Sequence, residues 1–180
     1  MKRLRIMFII ITVISCTGHG PIHDYPDCIS KPDNYIESGG CGNVFVYQFL
    51  DSTQALTVRI IPDSIDQTET CQTFHLGNGD IGIEVELEIA GDNPDSLYFN
   101  YCNDETQMNI GKTTVYKATA GQVTISILFD DKNIFDLDPK SFSYISIKID
   151  DLHLVNTEYS TEKIIDEIVL WDVSVDGIFP

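Results

Sequence analysis

Regular alternation between apolar and acidic side chains is the feature that most limits the fold of this chain. It is clearest in residues 80–89, DIGIEVELEI, where an isoleucine, valine or leucine occupies every second position and glutamates occupy positions 84, 86 and 88. A β-strand places successive side chains on opposite faces, so this spacing predicts a strand with one buried and one solvated face. Helical spacing is nearly absent after residue 43.

Similar segments recur along the rest of the chain and are separated by stretches rich in Gly, Asn, Asp and Pro, the residues that favour turns. The further predicted strands are NVFVYQFL (43–50), ALTVRII (55–61), SLYFNY (96–101), TTVYKA (113–118), GQVTISILF (121–129), FSYISIKI (142–149) and IVLWDVSV (168–175). This pattern predicts an all-β fold, a β-sandwich of about eight mostly antiparallel strands. A helix is expected only near STEKIIDE (160–167), where Ser160 or Thr161 can cap it.

The N-terminus has the layout of a signal peptide. Three basic residues, Lys2, Arg3 and Arg5, precede an apolar run from Ile6 to Ile14. As a helix this run is only about 14 Å long, against a bilayer core of about 30 Å, which is too short for a transmembrane anchor.

The run ends in Val13-Ile14-Ser15-Cys16, which resembles the lipobox of bacterial lipoproteins. The resemblance covers residues 1–17 and implies cleavage before Cys16 and acylation of that cysteine. It also implies a cell-envelope location, and Thr17 after the cysteine resembles the outer-membrane sorting pattern. A diacylated cysteine supplies the two chains that stable membrane anchoring requires.

The predicted organisation therefore has three parts. Residues 1–15 are the signal peptide and residues 16–40 are the lipidated N-terminus and a tether. The tether is rich in Pro and Gly and has no hydrophobic period. Residues 41–180 form a single domain.

The cysteine count agrees with lipidation of Cys16. An exported chain with five cysteines has one that cannot pair within the chain, and acylation accounts for it. The alternative is that Cys16 is incidental or takes part in a disulfide. The other four allow three pairings, of which Cys41 with Cys102 and Cys28 with Cys71 is favoured, because the first two adjoin predicted strands and the others lie in polar loops.

Charge limits the partners. Removal of residues 1–15 leaves eight of the eleven basic residues against 28 acidic ones, a net charge near −20. Such a surface repels phosphate backbones and anionic lipid, so no nucleic acid is expected and the acyl chains must hold the protein to its membrane. A carbohydrate or an envelope protein remains a suitable partner.

No catalytic residues are predicted. His19 and His23 lie in the tether, where fixed geometry cannot be held. His75 and His153 lie in or beside predicted strands, with no nucleophile motif near them. A hydrolase would require one of them to meet a Ser, Asp or Glu in a cleft. The glutamates at 84, 86 and 88 are interpreted as a solvated sheet face.

Two candidate binding sites remain, one for calcium and one for a sugar. No cofactor is expected other than calcium, which favours clustered oxygens, and one loop offers Asp130, Asp131, Asn133, Asp136 and Asp138. Its spacing is not that of an EF-hand, so exposed turn residues are the commoner interpretation. Sugar binding requires exposed aromatic rings. Tyr144, which shares a strand face with Ser146 and Lys148, and Tyr101 are the candidates, whereas Trp171 alternates in phase with valines and is assigned to the core.

Three functions are compatible with these features. The first is a membrane-anchored, non-catalytic binding or adhesion domain. The second is a structural or accessory subunit of an envelope complex, and the third is a hydrolase.

Overall fold

A computed structural model of the chain describes residues 28–34, 36, 38–41, 44–61, 64–66, 69–77, 82–90, 101, 113–129 and 142–175. The fold is all-β, as predicted. The eight strands are β1 (Ser38–Cys41), β2 (Phe45–Phe49), β3 (Gln54–Ile60), β4 (Cys71–Leu76), β5 (Ile83–Ala90), β6 (Thr113–Phe129), β7 (Phe142–Asn156) and β8 (Thr161–Ser174). Within these ranges no helix is long and apolar enough to cross a bilayer.

All eight strands belong to one antiparallel sheet in the order β1-β2-β3-β5-β6-β7-β8, with β4 paired to β6. The long strand β6 is shared between two partners on the same edge. Its first part, Thr113–Lys117, pairs with β5, and its last part, Gly121–Ser126, pairs with β4. β4 and β5 therefore lie one after the other along the same edge of β6, and both run antiparallel to it.

The long strands bend where the alternation of buried and exposed side chains shifts by one residue. On β7 the buried positions pass from Ile149 to Leu152, and on β6 the register with β7 shifts between Ala118 and Gln122. Gly121 and Asp151 have φ angles of 140° and 50° at this level. A β-bulge of this kind bends the strand and re-aims its side chains. The two strands predicted at residues 113–118 and 121–129 are therefore one continuous 17-residue strand with a bulge between them.

The sheet curls around one aliphatic core. On β5 the buried residues are Ile83, Val85 and Leu87, which confirms the alternation in the sequence. The first and last strands of the sheet approach each other, and Gly40 of β1 packs so closely against Val173 and Val175 that a side chain there would have to displace them. The largest fully buried side chains are Leu56, Ile60, Leu87, Ile125, Ile127, Ile145, Ile147, Ile149, Leu152, Leu154, Leu170 and Val44.

The expected helix at residues 160–167 was wrong. This segment is the first half of β8, which pairs with β7 from Asn156 opposite Thr161 onwards. Leu152 and Leu154 of β7 are fully buried, and the ladder with this strand decides the structure of β8 over its local helical pattern.

Residues on the N-terminal side of position 41 are attached to the domain. Cys28 forms a disulfide with Cys71 of β4, with a Cα–Cα distance of 6.3 Å, and Ile29 is buried. Together with β1, these residues attach the last part of the expected tether to the domain. The disulfide is the pairing that the sequence favoured.

Cys41 is also disulfide-bonded. Cys16 and Cys102 lie outside the described residues, so lipidation of Cys16 and the pairing of Cys41 with Cys102 stay predictions. The predicted strand at 96–101 lies outside them too, except for Tyr101.

Candidate functional site

The outer face of the sheet over β2, β3, β5 and β6 carries aromatic and charged side chains in register. Phe45 lies opposite Arg59, which lies opposite Glu84. One step along the strands, Glu86 of β5 lies opposite Lys117 of β6. This face therefore combines rings, carboxylates and cations on four adjacent strands.

The three glutamates of β5 each have a partner. The Arg59 Nη1 lies 3.7 Å from Glu84 Oε2, and the Lys117 Nζ lies 2.9 Å from Glu86 Oε1. Burial raises the pKa of Glu88, although the nearby Tyr101 hydroxyl acts in the opposite direction. The interpretation of these residues as a plain solvated face is therefore incomplete, because the half-buried Glu88 is covered by Tyr101.

An aromatic cluster of Phe45, Tyr47, Phe49 and Tyr101 covers the β2 end of this face. The Tyr101 ring centroid lies 4.8 Å from that of Tyr47, 5.4 Å from that of Phe45 and 6.3 Å from that of Phe49. The rings are mostly tilted against each other and only Phe49 is more than one-third exposed. This arrangement is a packed cap that holds Tyr101 on the sheet, and it is less suited to stacking on a flat ligand.

A cavity, which we name the fork cleft, lies where β5 separates from β6. β4 ends with Leu76 opposite Gly121, and pairing of β5 with β6 starts only at Glu86 opposite Lys117. Between these two pairings β6 has only residues 118–120, whereas nine residues separate Leu76 from Glu86 in the sequence. The resulting gap has a volume of about 380 Å³. Its described lining is Leu76, Gly77, Ile83, Glu84, Val85, Glu86, Lys117 and Ala118.

Two glycines with positive φ angles lie between β4 and β5. Gly77 has a φ of 84° and Gly82 a φ of 68°, a region that side-chain-bearing residues rarely adopt. At Gly77 a Cβ atom would also collide with the carbonyl oxygen of Thr119. The wall of the cleft at the end of β4 therefore depends on a glycine.

The fork cleft is electrostatically balanced. Its two carboxylates, on Glu84 and Glu86, are paired with Arg59 and Lys117, and the Glu86 carboxylate raises the pKa of Lys117. The remaining described lining is mostly aliphatic. The cleft can therefore offer hydrogen-bond acceptors and a donor beside an apolar wall, which is the usual composition of a small-molecule site.

The residues singled out in the sequence lie elsewhere or on the margin of this face. His75 on β4 and His153 on β7 are exposed, and neither belongs to the described lining of the fork cleft. Tyr101 lies in the aromatic cluster, whereas Tyr144 is half-buried on β7, far along the sheet from β2.

Trp171 is half-buried beside a bulge of β8. Leu170 and Val173 are both buried, so the alternation slips between them and Trp171 does not share the face of Val173. Asp172, with a φ of 54°, donates its backbone N–H to the Ser146 hydroxyl at 3.0 Å. The predicted core position of Trp171 failed because a bulge cannot be seen in the alternation.

The five proposed calcium ligands between Asp130 and Asp138 lie outside the described residues, and calcium binding there stays a prediction. Within the part of the chain that the structure describes, no group of three His, Cys, Asp or Glu side chains is placed to hold a metal ion.

Comparison with known protein families, with curated proteins and with solved structures finds no match to this chain.

The fork cleft and the aromatic cluster were not predicted from the sequence, for different reasons. The alternating aromatic residues Phe45, Tyr47 and Phe49 are visible in the sequence and indicate one ring-bearing strand face. The cleft has no such signal, because it depends on β4 and β5 sharing one edge of β6. That pairing joins segments about 50 residues apart, such as Gln72 and Ile125.

Proposed function

We propose that this chain is a lipoprotein of the bacterial cell envelope, anchored through Cys16, whose β domain binds a neutral carbohydrate in the fork cleft without catalysing a reaction. The location proposed is the outer membrane. The anchor is supported by the basic tip, the short apolar run and the lipobox-like residues before Cys16. Disulfides form in oxidising compartments, so the bond between Cys28 and Cys71 supports export.

The distance between the anchor and the domain follows from chain length. Cys28 is the first described residue and is fixed to β4. Residues 17–27 lie between it and Cys16, and an extended chain spans at most about 3.5 Å per residue. The domain would then lie within about 40 Å of the bilayer, close enough to reach envelope polymers.

The balanced charge of the fork cleft is the observation that carries the ligand class. Both carboxylates already have a cationic partner, so a charged ligand would have to break an ion pair to bind. A sugar has no net charge to place, and its hydroxyls can donate hydrogen bonds to Glu84 and Glu86. A volume of about 380 Å³ suits one or two sugar rings.

The anchor is tested by expressing the full chain in a bacterium and measuring the mass of the mature N-terminal peptide. We expect this peptide to begin at Cys16 and to carry acyl chains, and the Cys16→Ser variant to lose them. Thr12→Ala, a change within the apolar run, is the matched control and should be processed normally. A mature N-terminus elsewhere, or an unmodified Cys16, contradicts the proposal.

The ligand is tested with residues 16–180 carrying Cys16→Ser, which we call the soluble domain, and a panel of neutral mono- and disaccharides, by saturation-transfer NMR. We expect a binding sugar whose signal is lost in Glu84→Gln combined with Glu86→Gln. The matched control is Glu69→Gln, since Glu69 is exposed in the turn before β4. A panel without any binder, or binding that survives in the double variant, contradicts a carbohydrate site in the fork cleft.

A further inference from the structure

β8 is the last strand of the described sheet, and we name the edge of its first half that no described strand covers the free edge. Residues Thr161–Glu167 pair with β7, and no described strand pairs with their other edge. The contact of β1 with the end of β8 lies farther along, where Gly40 meets Val173 and Val175. Backbone N–H and C=O groups along this edge are therefore available to another extended chain.

The usual protection of a sheet edge is incomplete here. Residues 161–170 contain no proline and no glycine, and the bulge of β8 comes only after Leu170. Ile164 is 61% exposed on this edge strand, one of the most exposed large apolar side chains among the described residues. A long edge with an exposed isoleucine is a typical site for strand addition.

Acidic side chains flank Ile164 on the same face. Glu162 and Asp166 lie two positions to either side of it, and both are exposed. Lys163 does not neutralise them, because it points to the opposite face, where its Nζ lies 5.5 Å from the centroid of the Tyr116 ring. The exposed face of the edge therefore reads acidic, apolar, acidic.

The nearest other charges among the described residues do not change this sign. Lys148 Nζ is held by Asp150 at 2.8 Å and by Glu167 at 3.0 Å. His153, opposite Ile164 on β7, is the remaining basic group and is exposed. An incoming strand next to Glu162 and Asp166 would thus meet two carboxylates without a strong cation beside them.

A second copy of this chain fits poorly. If two β8 edges paired antiparallel with Ile164 opposite Ile164, Glu162 of each copy would face Asp166 of the other. Like charges directly opposite each other destabilise a strand pair. The net charge of −17 adds a general repulsion between copies.

We propose that the free edge of β8 binds, by strand addition, an extended segment of a partner protein with basic, apolar and basic side chains at alternate positions. The basic side chains pair with Glu162 and Asp166, and the apolar one covers Ile164. This interaction uses a different surface from the fork cleft and requires neither the anchor nor a sugar ligand.

The test uses a fluorescent peptide with the central sequence Lys-Thr-Val-Thr-Lys and the soluble domain, followed by anisotropy and by ¹⁵N NMR. We expect binding with chemical-shift changes and added hydrogen-exchange protection in Thr161–Glu167. Replacement of both peptide lysines by glutamate should weaken binding at least about tenfold, because two favourable cross-strand pairs become unfavourable. Two N-methylated peptides serve as a further check, each with the backbone N–H groups on one edge of the peptide strand blocked. Only the peptide whose unblocked edge can face β8 should bind.

Ile164→Lys is the protein variant, and we expect it to weaken binding at least about tenfold. Ile61→Lys is the matched control, since Ile61 is also an exposed isoleucine, at 46%, but lies directly after β3 and not on β8, and this variant should bind the peptide as the unmodified domain does. A thermal melt checks that both variants are folded. Equal binding of the acidic peptide, equal binding of both N-methylated peptides, or an undisturbed Ile164→Lys variant overturns the proposal. A concentration-dependent dimer that protects the same edge also overturns it, in favour of self-association.

Discussion

Removal of the disulfide between Cys28 and Cys71 should cost this domain a large part of its stability. The perturbation is the double variant Cys28→Ser with Cys71→Ser, which leaves no unpaired thiol from this bond. The two cysteines are 43 residues apart. Closing a loop of that length in the unfolded chain removes conformational entropy worth about 4 kcal/mol at 25 °C. A domain of this size would lose about 8 to 16 °C in melting temperature.

The assay is urea denaturation of the oxidised domain and the double variant at 25 °C, with linear extrapolation to water. We expect the loss in free energy of unfolding to lie between about 2 and 5 kcal/mol, with a somewhat larger m value because the unfolded chain becomes more expanded. Ile29→Ala, which keeps the disulfide, separates the packing of the adjacent buried side chain from the cross-link. A loss below about 1 kcal/mol in the double variant would refute the loop-closure reasoning.

Three further predictions concern single features. Because the pKa of Glu88 is raised in the fold, ionising it costs more there than in the unfolded chain. Stability should therefore fall as the pH rises from about 4.5 through the folded pKa. Glu88→Gln should remove this loss, which is measured by urea denaturation of both proteins between pH 4 and 8. The reasoning is wrong if the variant and the unmodified domain have the same pH profile of stability. Non-reducing peptide mapping should recover Cys41 linked to Cys102, and any other partner of Cys41 contradicts that pairing. Gly77→Ala should destabilise the domain by about 1 to 2 kcal/mol or more, since a left-handed φ and the nearby Thr119 carbonyl both oppose a Cβ. A thermal melt equal to that of the unmodified domain would contradict it.

The strands with one wet face were predictable because their alternation is local. In β5 the isoleucine, valine and leucine positions fall on the core as expected. The strands β2 and β3 were also predicted, and the turn between them contains Asp51, whose carboxylate accepts hydrogen bonds from Thr53 and Gln54. These features depend on residues close together in the chain.

The errors occur where a distant partner decides the structure. Residues 160–167 have helical spacing, but β7 binds them as a strand. The strand β1, Ser-Gly-Gly-Cys, has no alternating apolar pattern. The Tyr47 ring lies where a side chain at position 39 would be, so this position of β1 suits a glycine. The same reason hides the fork cleft, whose walls come from β4, β5 and β6.

The position of the Cys28–Cys71 bond also has a mechanical consequence. A pull on the chain before Cys28 passes through the covalent bond into β4, which is held along six residues of β6 in the interior of the sheet. The short strand β1, with four residues on β2, is thereby spared from being peeled away first. Load applied at the N-terminus would therefore reach the domain at Cys71, and the loop that carries β1, β2 and β3 would lie outside the loaded path for as long as the disulfide is intact.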